Sequence, residues 1–165
     1  MSVTGVVKDT ARLTMTVTAE YDVTVERAWQ LYADPRQLER WWGPPTYPAT
    51  VVEHDLRTGG RVTYYMTGPE GDQHRGWWKV IEAAPPRLLV VEDGFADETG
   101  APDEGMPTVV MRVEIDDRPG GVAMTIATHF PSPEAMARLV AMGMEEGLQQ
   151  AMGQIDAILA GAPAS

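Results

Sequence analysis

The sequence predicts an α+β fold: a seven-stranded antiparallel sheet curved around one long C-terminal helix, with two short helices after the first strand. Three observations lead there. Apolar and polar residues alternate in short runs from residue 13 to residue 130, and turn residues close the runs. Helical spacing interrupts those runs only after the first. A last stripe of Met136, Val140, Met144, Leu148, Ala151, Ile155 and Leu159, spaced by three or four residues, reads as one amphipathic helix.

The elements follow in order. In Leu13–Val23, Leu13, Met15, Val17, Ala19, Tyr21 and Val23 alternate with Thr, Glu and Asp, which marks a strand with one apolar face. Thr24 is placed to cap a helix over Val25–Ala33. Asp34-Pro35 starts a second helix, which runs through Leu38 to Trp41-Trp42 and stops at Gly43-Pro44-Pro45. Strands are then expected over Thr50–Leu56, Arg61–Thr67, Gln73–Ala83, Arg87–Asp93, Thr108–Ile115 and Val122–Phe130. The links between them are short and rich in Gly, Pro and Asp, so neighbouring strands should run antiparallel. The exception is Gly94–Gly105, read as a polar, acidic loop. Ser132 caps the last helix, Pro133 takes its first turn, and Gly161 and Pro163 end it. Residues 1–12 read as an N-terminal arm, 13–160 as one domain and 161–165 as a tail.

Composition narrows the functions. The 165 residues contain no cysteine, which removes disulfides, thiol catalysis and Cys–zinc sites and suits a reducing cytoplasm. A formal net charge of −11 repels nucleic-acid phosphate and anionic lipid. No apolar run approaches the roughly 20 residues that span a bilayer. His54, His74 and His129 lie far apart, without zinc-ligand spacing, and the acids of the long loop lack the spacing of a calcium loop. No metal, cofactor or catalytic nucleophile is therefore expected.

Several pieces resemble a known family. They are Asp34-Pro35 through Leu38, Trp41-Trp42-Gly43-Pro44, Asp55-Leu56-Arg57-Thr58-Gly59-Gly60-Arg61 and Arg75-Gly76-Trp77-Trp78. Pro85-Pro86-Arg87-Leu88, Gly94-Phe95-Ala96-Asp97-Glu98 and Gly143-Met144-Glu145-Glu146-Gly147 complete the set. In this order they resemble the SRPBCC (START/Bet v 1-like) superfamily, in its bacterial branch similar to the activator of Hsp90 ATPase (AHSA1-like). The resemblance implies a helix-grip fold with a cavity under the last helix. It implies no particular reaction, because the superfamily holds carriers, cyclases, receptors and co-chaperone domains.

Side-chain direction nominates a wall for that cavity. Val62, Tyr64 and Met66 share one face of their strand, and Trp78 and Val80 point inward because Lys79 belongs in water. Leu89 and Val91 follow, as do Val109, Met111, Val113 and Ile115, and then Met124, Ile126 and Thr128. Trp42 and Phe95 stand near the expected mouth, and Met136, Val140 and Met144 look down from the helix. For most of these residues plain core packing is the competing reading. Two features favour a pocket. The chain has 10 methionines, whose side chains repack around different guests, and Gly143, Gly147 and Gly153 interrupt the last helix at a cost of about 1 kcal/mol each. His54 and Arg61 are the polar anchors considered.

Three functions stay open, in this order. One is a protein that binds a small hydrophobic molecule (lipid, polyketide or aromatic) as carrier, sensor or sequestering protein. The second is an enzyme resembling a polyketide cyclase, with His54, Tyr64, Arg61 or Glu53 as candidate polar groups. The third is an Hsp90-type interaction module. Either a monomer or a homodimer is expected.

Overall fold

A computed structural model describes residues 3–161. The elements are β1 (Val3–Asp9), β2 (Thr14–Tyr21), α1 (Val25–Ala33), α2 (Pro35–Trp41), β3 (Ala49–His54), β4 (Arg61–Thr67) and β5 (Gln73–Ala84). They continue with β6 (Leu88–Ala96), β7 (Val109–Arg118), β8 (Gly121–His129), α3 (Pro133–Ala141), α4 (Met144–Met152) and α5 (Ile155–Leu159). One antiparallel sheet has the order β1-β2-β8-β7-β6-β5-β4-β3. Bulges at Val51/Glu53 and Val80/Glu82 add local twist and help the sheet curve. This is the helix-grip architecture.

β2 shows how the pattern becomes structure. Met15, Val17, Ala19 and Tyr21 are buried, while the residues between them keep some exposure. The chain must then reach β3 at the opposite edge of the sheet, and α1 and α2 carry it there. Thr24 Oγ1 accepts the Arg27 N–H at 3.1 Å to start α1. Asp34 Oδ1 accepts the Arg36 N–H at 2.9 Å and Pro35 opens α2, as their sequence signals foretell.

The structure corrects three expectations. The N-terminal arm supplies an eighth strand, β1, which pairs with β2 across a turn held by Asp9 Oδ1. Its signal was faint because it is an edge strand: Val3 and Val6 are only half-buried and Val7 is exposed. Next, β6 runs past Asp93 to Ala96, so Gly94, Phe95 and Ala96 leave the expected loop. The Trp77 indole lies across Gly94 and donates to the Phe95 carbonyl at 3.0 Å, which extends the ladder. Last, the C-terminal helical segment is broken into α3, α4 and α5. Gly143 adopts φ +90°, a left-handed conformation that ends α3 and that glycine takes without strain. A second break falls at Gly153-Gln154. Of the expected arm and tail, residues 1–2 and 162–165 lie outside the described residues.

Ala151, Met152, Ile155 and Ile158 from the C-terminal segment join one large core with Val17, Trp78, Ile115, Met124 and Ile126 of the sheet. A smaller cluster of Met15, Val109, Phe130, Met136 and Leu139 seals the other end. Among the described residues, no helix is long and apolar enough to cross a membrane.

Candidate binding site

Between these two clusters the space under the junction of α3 and α4 is not filled. Two cavities of about 250 Å³ and 220 Å³ share Tyr64, Met66, Asp93, Phe95, Val109 and Met144, and together they form one hollow. Glycines border it. Gly76 stands on the floor, and Gly143 and Gly147 stand on the roof. A Cβ added at Gly147 would meet no atom within 4 Å. Met142 and Phe95, both exposed, stand at the rim.

Gly76 also sets the polar end of the hollow. It is the register partner of Tyr64, and a Cβ there would lie 2.5 Å from the Tyr64 ring. With no Cβ in the way, the ring crosses β5 and its hydroxyl reaches β6, donating to Asp93 Oδ1 at 3.2 Å. Asp93 shares the inward face with Val91 and Phe95. Protein encloses its carboxyl, and the surface it retains faces the hollow. Burial pushes the Asp93 carboxyl up to about 7, and the Tyr64 hydrogen bond opposes that rise only in part. Burial and then the Asp93 charge hold the Tyr64 hydroxyl well above the usual tyrosine value.

Trp42 walls the other end. Its ring meets Trp78 edge-on at 4.9 Å, Trp41 at 5.7 Å and Tyr64 at 6.1 Å. The indole N–H lies near enough to the Tyr64 hydroxyl to favour ionisation there, yet it falls outside hydrogen-bond geometry and is left without a partner. Gln154 Nε2 donates to the Gly43 carbonyl at 2.7 Å, tying this corner to the C-terminal segment.

The predicted wall divides in two. Trp42, Tyr64, Met66, Phe95, Met111 and Met144 border the hollow. Val62, Trp78, Val80, Val91 and Met124 are buried in the main core, and Met136 and Val140 pack in or against the smaller cluster. Neither proposed anchor enters. His54 Nε2 lies 2.8 Å from the Tyr32 carbonyl and must donate its proton there. The reason is local. Pro35 has no N–H for the Leu31 carbonyl, and the Arg36 N–H is taken by Asp34, so the last carbonyls of α1 need other donors. The Trp41 indole serves Leu31 at 2.9 Å and His54 serves Tyr32. Arg61 is exposed, 3.6 Å from Glu53 in an ion pair, and does not border the hollow.

Asp93 is the residue that sequence reasoning missed, because it stands as the last residue of its expected strand, against the acidic loop. Its signal was parity: Leu89, Val91, Asp93 and Phe95 share one face once the strand is carried to Ala96.

Comparison with known proteins gives the family and the fold. The family model described as "Activator of Hsp90 ATPase homolog 1-like protein" matches residues 22–160. The crystal structure of protein Ms6760 from Mycobacterium smegmatis is 45% identical, with TM-score 0.88 over 96% of this chain and 98% of that one. A solution structure of a protein from Arthrobacter aurescens is also 45% identical, with TM-score 0.94 over 99% of this chain and 95% of that one. An AHSA1 protein from Silicibacter pomeroyi shares the fold at 21% identity, TM-score 0.70, over 89% of this chain and 97% of that one. No curated protein matches the chain.

Proposed function

The chain belongs to the activator of Hsp90 ATPase homolog 1-like family of SRPBCC proteins, and from that premise we propose that it binds a small, largely apolar molecule in the hollow beneath α3 and α4. The observation that carries this reading is the placement of glycine. Gly147 faces open space where a larger residue would complete the core, although an alanine there would favour the helix by about 1 kcal/mol. Met66, Met111, Met142 and Met144 around that space supply an adaptable lining. Binding then draws on burial of apolar area, at roughly 25 cal/mol per Å². The cysteine-free chain fits work in a reducing compartment such as the cytoplasm.

Nile red, a neutral apolar dye, tests it. The parent should bind the dye with a blue-shifted emission. Gly147→Leu should weaken binding roughly tenfold or more by filling the space, which corresponds to about 1.4 kcal/mol. Gly147→Ala should be as stable as the parent or more so. Equal dye affinity in parent and Gly147→Leu would refute the reading.

The paired Tyr64 and Asp93 favour a second reading, an enzyme that moves a proton on a bound carbonyl compound. A carboxyl near 7 suits general acid–base work at neutral pH. Undiminished turnover in Asp93→Asn would reject it. The interaction-module alternative draws on the family description alone.

A further inference from the structure

We infer that the hollow selects an apolar molecule whose polar head donates a hydrogen bond, a protonated amine above all, and rejects a carboxylate; this rests on the binding reading and names its ligand class. The argument begins with what Asp93 lacks. Its Oδ1 accepts the Tyr64 hydroxyl, while Oδ2 accepts no hydrogen bond among the described residues and is not sealed from the hollow. No cation among the described residues pairs with this carboxyl.

The charged groups nearby are engaged elsewhere. His74, at the rim, lies 2.7 Å from Asp72 Oδ2. Arg75 borders the hollow, but its guanidinium stacks 5.2 Å from the centroid of Tyr65, a residue on the opposite face of the sheet from Tyr64. On α4, Glu145 is paired with Lys8 at 2.7 Å and Glu146 is exposed. Two further polar groups border the hollow, the Trp42 indole and the buried Thr128 hydroxyl. Both are neutral, so neither balances the charge of the carboxylate.

An ammonium head at Asp93 supplies the missing positive charge and a charge-assisted hydrogen bond. A carboxylate head would bring like charge into the same enclosed space. The net charge of −11 draws cations to the surface and works in the same direction.

Decylamine, decanol and decanoate share one apolar tail and differ in the head. Their affinities are measured on the full chain by competition with Nile red at about pH 8.5 and pH 5.5 in high salt, which screens the surface charge. At the higher pH the amine should bind roughly tenfold or more tighter than decanoate, with decanol between. At the lower pH, where Asp93 is protonated, the gap should shrink. In Asp93→Asn it should fall below about threefold at both pH values. Decanoate equal to decylamine in the parent at high pH, or a full gap retained in Asp93→Asn, overturns the inference while leaving apolar binding in place. Failure of all three to bind overturns both.

Discussion

Replacing Asp93 by asparagine should stabilise the protein at about pH 8 and abolish a fall in stability that the parent shows as pH rises from about 4 to about 7. The sign follows from the direction of the shift. Burial raises the folded carboxyl to about 7, while the unfolded chain titrates near the ordinary value of about 3.9. Between those values the native state holds a proton that the unfolded state has lost. The contribution of this group is therefore complete below about pH 4 and is lost as pH climbs through the folded value. Water admitted to the hollow screens the charge, so the loss should be about 2–4 kcal/mol. Asp34, Asp72 and Asp97 are shifted the other way, by hydrogen bonds from Gln37, His74 and Thr99. Their stabilising effect disappears only as pH falls below the ordinary carboxylate range, outside this window. Urea unfolding of parent and Asp93→Asn at several pH values between 4.5 and 8.5 isolates the difference. Parallel curves would mean that Asp93 ionises without cost.

Trp41→Ala should destabilise the protein by about 3–5 kcal/mol, the range for removing a large buried aromatic side chain. Trp41 is fully buried, edge-on to Tyr32 at 5.2 Å and to Trp42 at 5.7 Å. It also satisfies the Leu31 carbonyl, which Pro35 leaves without its helical donor. Trp41→Phe separates the two effects. It keeps most of the buried area and loses the N–H, so it should cost less than the alanine variant, with about 1 kcal/mol from the hydrogen bond. Because Trp41 supports the Trp42 ring, dye binding should weaken in Trp41→Ala by more than the loss of folded protein explains. Chemical denaturation together with dye titration of the folded fraction checks both. A cost below about 1 kcal/mol for Trp41→Ala would show that this corner does not hold the two short helices to the sheet.

The parts of the protein that depend on near neighbours were readable in advance. Thr24, Asp34 and Ser132 act as caps because a side-chain oxygen two or three residues away can reach a free N–H. The inward rows of β2, β4, β5 and β7 follow from period-two alternation. The weak edge strand β1 and the last residues of β6 escaped, because their state depends on partners distant in sequence: β2 for the first, and the Trp77 ring on Gly94 for the second.

From residue 13 onward, periodicity was enough to read where most strands and the two short helices lie, which faces are apolar, and that a terminal segment can cover the sheet. Tertiary structure alone decided which inward residues meet solid packing and which meet space. It turned His54 toward the end of α1, left Trp78 in the core, and brought Tyr64 over Gly76 to Asp93. Periodicity fixes the direction of a side chain but carries no information about what stands opposite. A hollow is a relation between residues such as Gly76 and Gly147, on different elements far apart in the chain.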